Sequence, residues 1–193
     1  MRIASWVSAL ALAAAAGCVG RPPQPAPQPS AVPASAAAAA AVGFTLVGQG
    51  ADTALSFQGG AGALGSLHLT RDAEVAPTAA PLRVERIGQI GQIKPVALIV
   101  LDTYPSIAGG MSYCQAGEEQ FLRVIALADP PPRETLRIKT ASCRGNIELA
   151  SPGIAWSAQT RTLRIDWLFG PTTPGQAESR EIRFGADGRV LTP

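Results

Sequence analysis

The feature that most constrains this chain is the alternation of Thr162-Leu-Arg-Ile-Asp-Trp-Leu-Phe169, interrupted only by Leu168. A strand turns successive side chains to opposite faces, so Leu163, Ile165, Trp167 and Phe169 share one face and Thr162, Arg164 and Asp166 the other. The same period recurs where Leu136 and Ile138 alternate with Arg137 and Lys139, where Ile154 precedes Trp156, and where Ile182 and Phe184 alternate with Glu181 and Arg183. Val96-Ala-Leu-Ile-Val-Leu101 is instead continuously apolar, the pattern of a strand covered on both faces. Turn signals separate the runs at Arg144-Gly145-Asn146, at Gln159-Thr160-Arg161 and at Asp187-Gly188. No segment carries a capped helical stripe of about ten residues. The expected fold is all-β, an antiparallel β-sandwich or partly rolled sheet, with a C-terminal meander from Thr135 to Leu191. Gln58-Gly-Gly-Ala-Gly-Ala-Leu-Gly65 reads as a flexible loop. The duplication Ile87-Gly-Gln, Ile90-Gly-Gln is too short to be a structural repeat.

The alternation starts only at Phe44. Before it, Met1-Arg2 and the apolar stretch from Ile3 to Ala16 have the layout of a secretory signal peptide. The stretch is shorter than the about 20 apolar residues that span a bilayer. Residues 19–42 hold six prolines between Pro22 and Pro33 and six consecutive alanines from Ala36. Nothing there can bury a core; the proline half favours extended polyproline II, so the stretch reads as a tether. The chain therefore divides into a signal peptide (1–17), a Cys18-bearing tether (18–43) and one β-rich domain (44–193). About 150 residues suffice for a domain that buries roughly 68–70% of its unfolded surface.

Ala15-Ala16-Gly17-Cys18 resembles the lipobox of bacterial lipoproteins, although that class more often has leucine where Ala15 stands. The resemblance covers residues 1–18 only. It implies cleavage before Cys18 and acylation of that cysteine, which makes the membrane a partner through the lipid anchor. Val19 follows Cys18 in place of the aspartate that retains such proteins at the inner membrane, so the resemblance implies the periplasmic face of the outer membrane. Several acyl chains make such anchoring effectively permanent. The competing reading is an ordinary signal peptide that leaves Cys18 as a free thiol.

The remaining cysteines, Cys114 and Cys143, are 29 positions apart. In an exported chain with three cysteines, lipidating one leaves a pair, and a disulfide is the leading reading. Closing that loop contributes about 3.6 kcal/mol on the chain-entropy model. A catalytic thiol would need a base, and the single histidine, His68, alternates with Leu67 and Leu69 and reads as solvent-facing. One histidine also excludes a multi-histidine metal site. No Gly-x-Ser-x-Gly elbow, Ser-x-x-Lys pair or His-Glu-x-x-His is present, and no cofactor motif stands out.

Two of the 16 basic residues, Arg2 and Arg21, precede Gly43, which leaves 14 to balance the 14 acidic ones in the domain. A formally neutral domain argues against a nucleic-acid partner, which would need clustered cations. Asp102 and Tyr104 end the apolar run from Val96 and read either as a functional rim or as strand-end turn chemistry. Glu118 and Glu119 read as charges at a strand entrance, facing opposite ways unless Gly117 makes a bulge.

The block Tyr113-Cys-Gln-Ala-Gly-Glu-Glu-x-Phe-Leu-x-Val124, with Cys143 and Leu163-x-Ile-x-Trp167, resembles small exported bacterial domains of uncharacterised role. That likeness spans about residues 111–192 and implies no activity. Tyr113 belongs with Asp102, Tyr104, Glu118 and Glu119 as a candidate interaction residue; Trp156 and Trp167, on apolar faces, read as core. The leading expectation is a non-enzymatic binding or accessory domain offered to a periplasmic protein or to peptidoglycan. The alternatives are an envelope-polymer hydrolase built on two converging carboxylates, about 5–9.5 Å apart in glycoside chemistry, or a lipoprotein subunit of a secretion or assembly machine.

Overall fold

A computed structural model of the chain describes residues 42–60, 62–107 and 117–192. Its regular structure there is all strand apart from one 3₁₀ turn at Gly50–Asp52. Strands β1 (Gly43–Val47), β2 (Ala54–Gly59) and β3 (Gly62–His68) form a first sheet in that order. Strands β4 (Arg83–Ile90), β5 (Ala97–Pro105), β6 (Glu118–Ala126) and β7 (Arg133–Ser142) form a second, again in order. Strands β8 (Glu148–Ser157), β9 (Thr162–Phe169), β10 (Glu178–Phe184) and β11 (Val190–Thr192) form the third, in the order β11-β10-β9-β8. Every pairing is antiparallel.

The second sheet is the middle layer. Ile99, Leu101, Leu122, Val124 and Ile138 pack on Leu163, Ile165, Trp167, Ile182 and Phe184 of the third sheet. On the opposite face, Leu98, Val100 and Ile125 pack on Leu55 and Phe57 of the first. Val42, within the stretch read as tether, is buried in this second cluster. Strand β5 feeds both clusters alternately, and residues 97–104 are all buried. This is why its sequence is an unbroken apolar run. The Trp167 indole donates to the Thr140 carbonyl at 3.0 Å and ties the third sheet to β7. A Cβ on Gly88 would run into the Trp156 indole, so the third sheet reaches close against β4 only because that position is glycine.

The all-β expectation is met, and the turns fall where the sequence put them. Asn146 and Arg161 adopt φ of 50° and 52°, and Gly188 closes the β10–β11 connection at φ 82°. Two expectations are corrected. The segment Gln58–Gly65 is not simply a loop: its described residues include the ends of β2 and β3 that meet at the hairpin tip, with Gln58 paired to Ala63 and Phe57 to Gly65. Its small residues conceal the alternation, and Gly62 and Gly65, at φ 118° and 117°, take a backbone that other residues avoid. The meander from Thr135 is also split. Strand β7 completes the middle sheet, and the chain crosses to the third sheet between Ser142 and Ile147, which form an isolated bridge. Leu136, Ile138, Leu163 and Ile165 all face the same core cluster. Periodicity therefore identifies the face each strand presents but not the sheet it joins.

Candidate functional site

The polar chemistry of the domain collects on the face of the middle sheet that looks toward the first sheet and the segment 69–82. Along β6, Glu119, Phe121, Arg123 and Ile125 point the same way, opposite Tyr104, Asp102, Val100 and Leu98 of β5 in strict register. Ile125, Val100 and Leu98 meet the apolar cluster; the other positions hold charges and rings.

Arg123 is fully buried and uses all five of its N–H groups. Its Nε donates to Asp102 Oδ1 at 2.7 Å and its Nη2 to Asp102 Oδ2 at 2.8 Å, the bidentate geometry that suits guanidinium to carboxylate. Nη2 also donates to the Thr70 carbonyl at 2.7 Å, and Nη1 to Thr70 Oγ1 at 3.1 Å and to Glu134 Oε2. The Thr70 hydroxyl in turn donates to Glu134 Oε1 at 3.0 Å. Asp102 is as buried as Arg123. Burial raises its carboxyl above the ordinary 3.8, and the hydrogen bonds from Arg123 and Tyr104 pull the other way without cancelling it. Burial, then the neighbouring Asp102 charge, likewise push the Tyr104 phenol up.

A second group surrounds Lys139. Its ammonium meets Asp72 Oδ2 at 2.5 Å, Glu74 Oε2, and Glu119 Oε2 at 3.3 Å. Glu119 is fully buried; its Oε1 accepts from the Ser106 hydroxyl at 2.7 Å and from the Arg144 amide at 3.5 Å. Its Oε2 touches Lys139 as an ion pair but makes no hydrogen bond. Partial burial would lower the Lys139 pKa, but the Asp72 and Glu74 carboxylates outweigh it and hold the ammonium above its ordinary 10.5. The Phe121 ring lies between the two groups, with Arg123 Cζ 5.2 Å and Lys139 Nζ 5.4 Å from its centroid. Tyr104 meets the same ring edge-on at 6.1 Å.

These contacts relocate the residues the sequence singled out. Asp102 and Tyr104 do not end a strand: β5 runs on to Pro105 and both are buried within it, because loop 69–82 covers this part of the sheet through Thr70, Asp72, Glu74 and Val75. Glu118 and Glu119 do face opposite ways, but only Glu118 is exposed. Glu119 is no entrance charge, since Ser106, Lys139 and the Arg144 amide enclose it. Asp102 and Glu119 share a face, yet the Tyr104 and Phe121 rings stand between them and each is bound to its own cation. His68 is exposed at the end of β3, Trp167 is buried and Trp156 half-buried against the core, as read. Cys143 follows edge strand β7 and donates its amide to the Glu118 carbonyl at 3.2 Å. Cys18, Tyr113 and Cys114 lie outside the described residues.

Sequence reasoning missed Arg123 and Glu134 altogether. The signal was present: one arginine inside Phe121-Leu-Arg-Val-Ile125, and one aspartate directly continuing Val96–Leu101. Opposite charges set singly into two apolar strands must meet, because a lone buried charge is too costly.

Among the described residues no group of three or more His, Cys, Asp or Glu side chains is placed to hold a metal ion. A cavity of about 540 Å³ lies open on the outer face of the third sheet, between Thr162, Arg164, Glu181 and Arg183. Another of about 270 Å³ is apolar, between Val42, Leu64, Ile93, Pro95 and Leu127, with Lys94 at its wall. Neither is lined by Asp102, Glu119 or Arg123. No family model, curated protein or solved structure matches this chain.

Proposed function

We propose that this chain is an exported lipoprotein, acylated at Cys18 and held at the periplasmic face of the bacterial outer membrane, whose tether presents the β domain as a non-enzymatic binding or accessory module. The observation that carries the non-enzymatic reading is the fate of the internal carboxylates. Asp102 and Glu119 are fully buried, and each is committed to a cation supplied by the fold, Arg123 and Lys139. A general acid or base must reach substrate within hydrogen-bond distance. These two instead join β5, β6, β7 and the loop at 70–74 to one another. What the domain offers to a partner is its surface: strand edges, the outer face of the third sheet and the loops between sheets.

The lipobox-like Ala15-Ala16-Gly17-Cys18 and the proline-rich tether support the anchored location, and the oxidising compartment it implies suits a Cys114–Cys143 disulfide. Crosslinking in cells followed by affinity capture tests the reading, with the Cys18→Ser form as control. A dominant periplasmic partner that is lost, along with membrane partitioning, in Cys18→Ser supports it. Turnover of peptidoglycan by the purified chain that is abolished in Asp102→Asn or Glu119→Gln, both still folded, overturns it.

A further inference from the structure

The connection from β6 to β7 (residues 127–132) and the turn from β10 to β11 (residues 185–189) face each other across a cleft of about 330 Å³ between the middle and third sheets. Ala126, Ala128 and Gly188 line it with little bulk, which leaves the space open. Both walls are braced. The Gly185 amide donates to the Arg189 carbonyl at 2.8 Å, the Gly188 amide to the Gly185 carbonyl at 3.1 Å, and the Arg189 amide to Asp187 Oδ1 at 3.1 Å. Opposite them, the Leu127 amide donates to the Val96 carbonyl at 2.8 Å and the Thr135 hydroxyl to the Val124 carbonyl at 3.1 Å. Register shifts beside both walls, between Val124 and Ile125 and between Arg183 and Phe184. Bulges of this kind re-aim side chains and recur next to active sites.

Four charged side chains line the cleft. Arg189 and Asp187, 3.4 Å apart on the β10–β11 wall, neutralise each other. Asp129 and Arg133, on the other wall, do not: among the described residues their side chains make no ion pair or hydrogen bond, with each other or with anything else. The sequence between them is Pro130-Pro131-Pro132. Three prolines fix φ at three successive positions, so the turn is stiff and keeps its two terminal charges from closing on one another. The cleft therefore presents one free cation and one free anion at a set separation.

We propose that this cleft binds a small zwitterion, a free amino acid or short peptide, with its carboxylate on the Arg133 guanidinium and its ammonium on the Asp129 carboxylate. Guanidinium and carboxylate match as a fork, and charge-assisted bonds are the stronger class. A ligand of one sign would set one of its charges against its like, and a neutral ligand would leave both side chains unanswered. The volume lies at the low end of the about 300–1,000 Å³ of ligand cavities, which suits one or two residues. Because no internal pair has to be broken and both walls are braced, binding carries little cost of reorganisation. The inference names a ligand for the binding module proposed above and rests on that reading, but not on the anchor.

The test is isothermal titration of the purified full-length chain in detergent with alanyl-alanine, as the L,L and the D,D dipeptide, beside the N-acetyl and C-terminal amide forms of each. The free dipeptide is expected to bind saturably and either blocked form about tenfold or more weakly, the loss of one bond to a charged group. Asp129→Asn should remove discrimination against the N-acetyl form alone, and Arg133→Gln discrimination against the amide alone. Both positions are exposed, and an unchanged urea midpoint confirms that the variants fold. A preference for the D,D form assigns the ligand to cell-wall peptides, and a preference for the L,L form to peptides released from proteins. No saturable binding up to millimolar concentration, or equal affinity for free and blocked forms, overturns the site. A protein partner captured in cells by a chain that binds no dipeptide keeps the module reading and overturns this cleft. Hydrolysis of the bound dipeptide keeps the cleft and overturns the non-enzymatic reading.

Discussion

The two faces of the middle sheet are built differently. Toward the third sheet, the buried side chains of β4–β7 that fill the core cluster are all hydrocarbon, and the partner sheet answers with Leu163, Ile165, Ile182, Phe184 and Trp167. Toward the first sheet, the apolar cluster of Leu98, Val100 and Ile125 gives way along the same strands to Asp102, Arg123, Glu119 and Lys139. The first face gains from area removed from water, a non-directional term. The second fixes register through directional bonds, at the cost of desolvating ions whose attraction only partly offsets the penalty. Packing holds one layer, whereas ionic geometry positions the loop 70–74 and the start of β6.

Mutations separate the two modes. Arg123→Met leaves the Asp102 carboxylate buried without a cation and should cost about 3–5 kcal/mol in urea unfolding, the range for breaking a buried pair. A loss below about 1 kcal/mol would place that pair in solvent. On the apolar face, Leu163→Ala should cost about 2–5 kcal/mol, set by how far the site can collapse, with no dependence on pH.

Lys139 gives a smaller effect with a defined pH window. Because its folded pKa is raised, the stability it contributes is complete below about pH 10.5 and is lost as the pH climbs through the higher folded value. The wild type should therefore lose about 1 kcal/mol or less on Lys139 deprotonation above pH 10, allowing for partial exposure, and Lys139→Met should lack that component when the two titrations are compared. The smallest effect belongs to the outer face of the third sheet. The Arg164–Asp166 pair is solvent-exposed, so Arg164→Ala should change stability by less than about 1 kcal/mol. A larger change would mean that exposed pairs also organise the sheets.

The same contrast explains how much the sequence revealed. The third sheet was legible because one of its faces is wet, so apolar and polar residues alternate along β9 and β10. Strand β5 was legible for the opposite reason, since cover on both faces makes it uniformly apolar. The ionic face was not. Its partners come from β5, β6, β7 and the segment 70–74, up to 67 positions apart for Lys139 and Asp72, and a charge read alone in a strand is assigned to solvent by default. The β2–β3 hairpin escaped because glycine and alanine carry no contrast between faces, and the split of the meander because two strands facing one core give the same pattern whichever sheet they join.

The central claim is that Asp102 and Arg123 are structural partners, their charge spent inside the fold. A double-mutant cycle in urea, with Arg123→Met, Asp102→Leu and the combined variant, tests it directly. The account predicts that each single substitution loses several kcal/mol and that the double variant recovers to within about 1.5 kcal/mol of wild type, because apolar groups of similar volume replace a buried pair at little cost. Additive losses in the double variant would contradict it, showing that the two side chains stabilise the fold independently.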